Sequence, residues 1–276
     1  MCLGELQTKD FDYFEKFDIE ATISSLVILN KVIKSNKKIG IHLALNTGMN
    51  RLGFNNQKEF KEALRLIKNQ NNIKLKGVYS HIGDAQNLER TLRQNNRLQS
   101  FYGLLPCGMH PLLHTANSDT MQLLNSMHYD MVRVGINLYG YGSRSLKPVM
   151  SVVAKIVHTF TLKQDDYIGY GSKTLLKRGT KIAVLSIGYG QGFLRANSKF
   201  GYVILNGKLC KIVGNICMDM TMIDCTNANA HIGEFAYILG SSGMHKIDAE
   251  DLALNTQTIS YEVLTNFGKI KNSVIL

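Results

Sequence analysis

At 276 residues, 45% hydrophobic and 19% charged, the chain can bury a sizeable core as one large domain or a large and a small one, and its even mix of residues excludes disorder. The net charge of +11 raises the question of a nucleic-acid partner, but the basic residues are dispersed, with only Lys37-Lys38 and Lys177-Arg178 adjacent. The charge therefore reads as a solvated surface that attracts anionic small molecules rather than nucleic acid. Five cysteines, Cys2, Cys107, Cys210, Cys217 and Cys225, are odd in number and lack C-x-x-C spacing, which points to reduced thiols in a cytoplasm and to no metal framework. No segment reaches membrane-spanning length, and the opening MCLGELQTKDFDYFEKFD is too acidic and broken for a signal peptide.

In chain order, residues 1–5 read as the stub of a strand. FDIEATISS, Phe17 to Ser25, is a short strand handing over at Ser24 and Ser25 to an amphipathic helix with Leu26, Leu29 and Ile33 on one face. KIGIHLALNTGMNRLGF, Lys38 to Phe54, is a strand emptying into a glycine-punctuated loop. A helix opens at Asn56, with Glu59 in the arrangement of a capping box. KLKGVYSHIG, Lys74 to Gly83, is the next strand; a third helix starts near Leu88; HPLLHTANSD, His110 to Asp119, is another strand ending in polar residues. DMVRVGINLYGYG, Asp130 to Gly142, has the look of a buried parallel strand that ends at a ligand: Gly135 allows close backbone approach with free amide donors, and Arg133 brings a charge that is not titrated away. Taken alone, that stretch reads rather as an ordinary core strand with a structural ion pair; its partner motifs reverse that reading. Strands ending near Arg51, His81, Ser118 and Arg133, alternating with helices, predict a parallel α/β barrel whose site gathers at the strands' C-terminal ends.

The pattern changes at Lys147-Pro148, so residues 1–146 are read as a partial barrel domain and 147–276 as a mostly-β domain. There VVAKIVHTFTL, DYIGYGS, TKIAVLSIGYG, YVILNGKLCKIV with its Asn206-Gly207 turn, and CMDMTMIDCT read as short strands. A helix led by Asp248 and a second near TISYEVLTNFG, with Gly268 placed as C-cap, close the chain.

Together NTGMNRLGF, GVYSHIG, HTANSD, MVRVGINLYG, IGYGS, IGYGQG, GNICMDMTMID and TISYEVL resemble the alanine racemases, which use pyridoxal 5'-phosphate (PLP) to interconvert L- and D-alanine for peptidoglycan precursors. The motifs occur in family order from residue 1 to about 268. The resemblance implies that Ser118, Gly135, Ile136 and Tyr261 cradle the cofactor phosphate. It implies that Arg133 faces the pyridine nitrogen, beside His81, and weakens the ring as an electron sink because a guanidinium keeps its proton. Arg51 matches the arginine that contacts the cofactor's phenolic oxygen and the substrate carboxylate, which suits bidentate geometry. Tyr170 matches the base on the L-alanine face, a phenol that needs neighbouring cations to act. Tyr189 matches an entry-channel gate. Cys217, Met218 and Asp219 match residues reaching a partner subunit's barrel, with the Met218 backbone near the substrate carboxylate. A homodimer with shared sites follows from the same resemblance.

The sequence also departs from the family. The PLP lysine, in a motif like V-K-A-N-A-Y-G-H-G at the end of the first barrel strand, finds no match. About 147 residues precede Pro148, against about 250 for a barrel, so strands for about six of eight are expected and the first two are not. Ala44 stands where many members carry a lysine; Asn46 and Gln191 replace aspartates. Three readings follow: a racemase chain active when a lysine-bearing segment is supplied, a catalytically inactive truncated homologue, or a basic nucleic-acid or scaffold protein that reuses the fold.

Overall fold

Short apolar runs in the first half of the chain become parallel strands because an amphipathic helix follows each and returns the chain to the same edge. The computed structural model describes residues 1–268. A short helix α1 (Phe11–Lys16) precedes β1 (Ala21–Ile23); α2 (Leu26–Ser35), β2 (Ile39–Ala44), α3 (Gln57–Lys68), β3 (Ile73–Tyr79), α4 (Leu88–Tyr102), β4 (Leu112–His114) and α5 (Ser118–Leu123) follow. The four strands pair in chain order, all parallel. Parallel bridges Glu5↔Thr22 and His114↔Met131 extend that order by one position at each edge, giving the six adjacent positions expected of the α/β barrel.

Side-chain caps set the helix starts. Ser25 accepts from Ile28 N–H, Asn56 from Glu59 N–H and Asn87 from Arg90 N–H, each satisfying a donor that a helix N-terminus leaves unpaired. The apolar stripe of α3, Phe60, Ala63, Leu64 and Ile67, is buried against Leu43, Phe54 and Phe101 in the core of this region.

The expected strand at Asp130 to Gly142 is reduced to the single Met131 bridge, followed by a 3-10 turn over Ile136–Tyr139. Just before the bridge, the Asp130 carboxylate accepts the Leu113 N–H at 2.7 Å. The segment still follows β4, through Asp130 N–H to Leu113 O and Arg133 N–H to Ala116 O.

The chain divides into two compact units, Met1–Leu138 and Tyr139–Leu276. The second is built on antiparallel strands: β5 (Val152–Thr161), a two-residue pair β6 (Asp166–Tyr167) and β7 (Leu175–Leu176), β8 (Lys181–Leu185), β9 (Tyr202–Leu205), β10 (Lys208–Lys211), β11 (Thr221–Asp224), β12 (Phe235–Ser242) and β13 (His245–Ile247). The large sheet runs β10-β9-β12-β5-β8-β11, with β13 on β12. A bridge Ile212↔Ile223 joins its two ends, so few strand edges stay open. Asn206 and Gly207 both take positive φ, 51° and 72°, the type I′ geometry that the Asn-Gly pair predicts. The strand β12 falls outside the segments that the sequence marks as strands.

Asp248 caps α6 (Ala249–Thr256) through a reciprocal bond with Asp251. Gly268 does end α7 (Ser260–Phe267), but with φ −60° rather than in the left-handed region, its N–H continuing the helix to Leu264 O. Among the described residues, no helix is long and apolar enough to cross a membrane.

Candidate active site

The loops that leave β2, β3, β4 and the Met131 segment carry the predicted residues of the first unit. Arg133 is the centre. Its Nη1 donates to His114 Nδ1 at 2.5 Å, and its Nη2 reaches Ser80 O at 2.8 Å, Thr115 O at 3.2 Å and His81 Nδ1 at 3.3 Å. The guanidinium lies over the Tyr79 ring, 5.1 Å from its centroid. Its Nε is buried and has no hydrogen-bonding partner among the described residues. Burial lowers the Arg133 pKa to about 10, which leaves the group charged at neutral pH. Burial, then Arg133, pushes His81 down to about 4 and His114 down to about 2, so both rings are neutral beside the cation.

Gly135 N–H donates to Ser118 Oγ at 3.0 Å. The amide expected to be free is thus occupied, while the hydroxyl hydrogen of Ser118 keeps its freedom to rotate. A Cβ at Gly135 would meet nothing within 4 Å, so open space adjoins this pair. Ile136 starts the 3-10 turn, and Asn117, just before Ser118, caps α5.

Arg51 is exposed on the loop after β2, and no hydrogen bond or ion pair engages it among the described residues. The loop is tied shut beneath it: Phe54 N–H bonds to Ala44 O and Asn46 N–H to Phe54 O. Asn46 Oδ1 accepts from Gly48 N–H and Asn50 N–H, and its Nδ2 donates to Asn50 Oδ1 and Asn55 Oδ1. The amide does the accepting work of the aspartate usual here and adds two donors. Gly53, φ 117°, has to be glycine, since a Cβ would sit 2.6 Å from Asn46 N. Arg51, Asn46, Met49, Tyr79 and His81 line one cleft, and among the described residues no lysine lines it.

The remaining predicted residues lie in the second unit. Tyr170, 73% exposed, sits in the loop between β6 and β7, held by Asn215 Nδ2 on its carbonyl at 2.8 Å. Asn215 opens the turn that carries Cys217, Met218 and Asp219. Tyr189 N–H bonds to Cys217 O and Gly190 N–H to Met218 O. The fit is so close that a Cβ at Gly188 would fall 2.1 Å from Cys217 O. Gln191 locks the pair of loops: its Nε2 donates to Asp219 Oδ1 at 2.7 Å and its Oε1 accepts Gly188 N–H. Tyr170, Tyr189 and residues 217–219 therefore share one hydrogen-bonded cluster of loops. Tyr261 lies on α7 and is partly exposed.

Sequence reasoning missed Glu20, His42, His114 and Tyr79. The signal was present in IHLAL and LLHTA, where a histidine interrupts an otherwise apolar strand. Among the described residues, no group of three or more His, Cys, Asp or Glu side chains is placed to hold a metal.

Family models described as alanine racemase, N-terminal domain, and alanine racemase, C-terminal domain, match residues 1–143 and 149–275. An alanine racemase of Clostridium kluyveri is 34% identical over 98% of this chain and 73% of its own length. One of Clostridium novyi is 35% identical over 100% of this chain and 78% of its own. The crystal structure of alanine racemase from Bacillus anthracis, with bound L-Ala-P, superposes with a TM-score of 0.87 at 28% identity, covering 96% of this chain and 72% of that one.

Proposed function

This chain belongs to the alanine racemase family, and from that premise we propose that it serves the interconversion of L- and D-alanine, with PLP held in the cleft of the first unit. The observation that carries the reading is Arg133: every other nitrogen of its guanidinium is engaged, while Nε is buried without a partner among the described residues, the place for an aromatic nitrogen acceptor. The rest of the donor set suits the group as well. Ser118 Oγ, whose hydrogen is free to rotate, and the Ile136 amide, beside open space, suit the phosphate; the Gly135 amide, expected as a further donor, holds the Ser118 hydroxyl in place instead, and Tyr261 is assigned to the phosphate by the family motif.

When bound, the cofactor supplies a conjugated ring that draws electron density from the amino acid's α-carbon and makes its C–H acidic. Arg133 keeps its own proton, so it donates a hydrogen bond without protonating the ring nitrogen, which favours racemisation over amino transfer. Arg51 offers an unpaired fork of donors to the substrate carboxylate, joined by the Met218 backbone. Tyr170 removes or returns the α-proton on the L face, and its 73% exposure suits a residue that works in a second copy's site. Tyr189, Cys217 and Asp219 shape the entry. A homodimer with shared sites, in a cytoplasm consistent with five unpaired cysteines, feeding D-alanine to peptidoglycan precursors, completes the reading.

The test titrates PLP into the purified chain, then follows L-alanine by chiral chromatography once a lysine-bearing N-terminal segment from a longer relative is added. We expect saturable PLP binding, weakened about tenfold or more in Arg133→Leu, and D-alanine formation that Tyr170→Phe suppresses. Failure to bind PLP, together with no D-alanine when the segment is present, overturns the reading.

A further inference from the structure

We propose that Glu20, His42 and His114 are positioning residues for Arg133: they form a one-way hydrogen-bond relay that fixes both histidine tautomers and holds the guanidinium with Nε as its open donor. The inference rests on the assignment of Arg133 to the cofactor ring.

The relay crosses the sheet. Glu20, just before β1, places Oε2 2.8 Å from His42 Nε2 on β2; His42 Nδ1 is 2.8 Å from His114 Nε2 on β4; His114 Nδ1 is 2.5 Å from Arg133 Nη1. Strand β3 lies between β2 and β4, and His42 reaches across it only because residue 77 is glycine. A Cβ there would lie 2.1 Å from His42 Nδ1. Both histidine side chains are fully buried, and His114 is stacked on Tyr79 with 4° between the ring planes.

The proton positions follow from donor chemistry. A guanidinium only donates, so His114 Nδ1 must be the acceptor. A neutral ring then carries its hydrogen on Nε2, which donates to His42 Nδ1. His42 in turn carries its hydrogen on Nε2 and donates to Glu20, a carboxylate that only accepts. One arrangement satisfies every link. A proton added to either histidine would set two N–H groups against each other, consistent with the depressed pKa values of both rings. Were His114 to hold its hydrogen on Nδ1, an N–H would oppose Nη1 and turn the guanidinium away from its present plane. The carboxylate at the far end therefore selects the orientation of a group two side chains removed. Glu20 also faces Lys76, whose Nζ is 3.8 Å from Oε1, leaving Oε2 to the relay.

The test is histidine and arginine side-chain 15N NMR on the full 276-residue chain, without cofactor. We expect His42 and His114 each to show a bare Nδ1 and a protonated Nε2 at neutral pH, with one sharp Arg133 Nε–H signal. Glu20→Ala, at a partly exposed site that spares the core, should mix the His42 tautomers and shift or broaden the Arg133 Nε–H signal, with PLP affinity falling about twofold to tenfold. Glu20→Gln, which keeps an acceptor oxygen, should restore the native pattern. An Nδ1–H or doubly protonated His114 in the native chain overturns the relay, as does an Arg133 signal that Glu20→Ala leaves unmoved. If the NMR pattern holds but the native chain binds no PLP, the relay stands and the assignment of the cofactor falls.

Discussion

Gln191 shows how one side chain can rewrite a local charge pattern. In the family an aspartate precedes the glycine of G-Y-x-D-G; here an amide bridges Asp219 Oδ1 and Gly188 N–H, joining two loops that a second carboxylate would push apart. Gln191→Asp should lose both bonds and set two carboxylates side by side, destabilising the second unit by about 1–2 kcal/mol at pH 7. The deficit should shrink at pH 4, because like charges raise a carboxylate's pKa and protonation removes the repulsion. Urea unfolding at the two pH values measures it; an equal deficit at both would leave repulsion with no part. Arg133, His81, Ser118 and Gly135 could be singled out because their motifs are contiguous in sequence, and the structure brings them within hydrogen-bonding reach as two pairs. Glu20, His42 and His114 could not, since 94 positions separate Glu20 from His114 and strand alternation alone gives a histidine no partner.

At the level of elements, periodicity and caps carried most of the reading. The helices led by Ser25, Asn56 and Asp248 start where a short polar side chain meets an apolar stripe, and the Asn206-Gly207 turn sits at its expected hairpin. Two stretches read differently in the structure: the strand expected from Asp130 to Gly142 shrinks to one bridge at Met131 and passes into a 3-10 turn, and β12 forms in a segment that ends in a glycine and two serines. Gly77 is a further case, ordinary in sequence and constrained in space. Gly77→Ala would place a methyl 2.1 Å from His42 Nδ1, forcing the ring off its path to His114. Overpacking of this kind costs about 1–3 kcal/mol, so calorimetry should show the first unit melting several degrees lower. A melting point within a degree of native would mean that His42 has another way across β3.

At the scale of the whole molecule, the six adjacent parallel positions and the antiparallel unit reproduce the architecture of enzymes whose chains are longer, this one spanning 73% and 78% of the two clostridial relatives. Strand and helix alternation made that architecture readable, whereas the catalytic outcome turns on an amine. A cofactor aldehyde condenses with an amine held beside it, and among the described residues no lysine lines the cleft that gathers Arg51, Tyr79 and His81. Many of the chain's 32 basic residues are surface lysines that PLP modifies slowly and without saturation, and such adducts have neither Arg133 nor Arg51 to hold ring and carboxylate. The 276-residue chain alone should therefore bind PLP reversibly, yield no single borohydride-fixed lysine, and leave L-alanine unchanged. With a lysine-bearing segment from a longer relative added in trans, a yellow species should form that borohydride fixes on the added lysine, and D-alanine should appear. Peptide mapping after reduction decides it: a single native lysine fixed stoichiometrically in the chain alone, together with racemisation, would show that this fold has found its amine elsewhere.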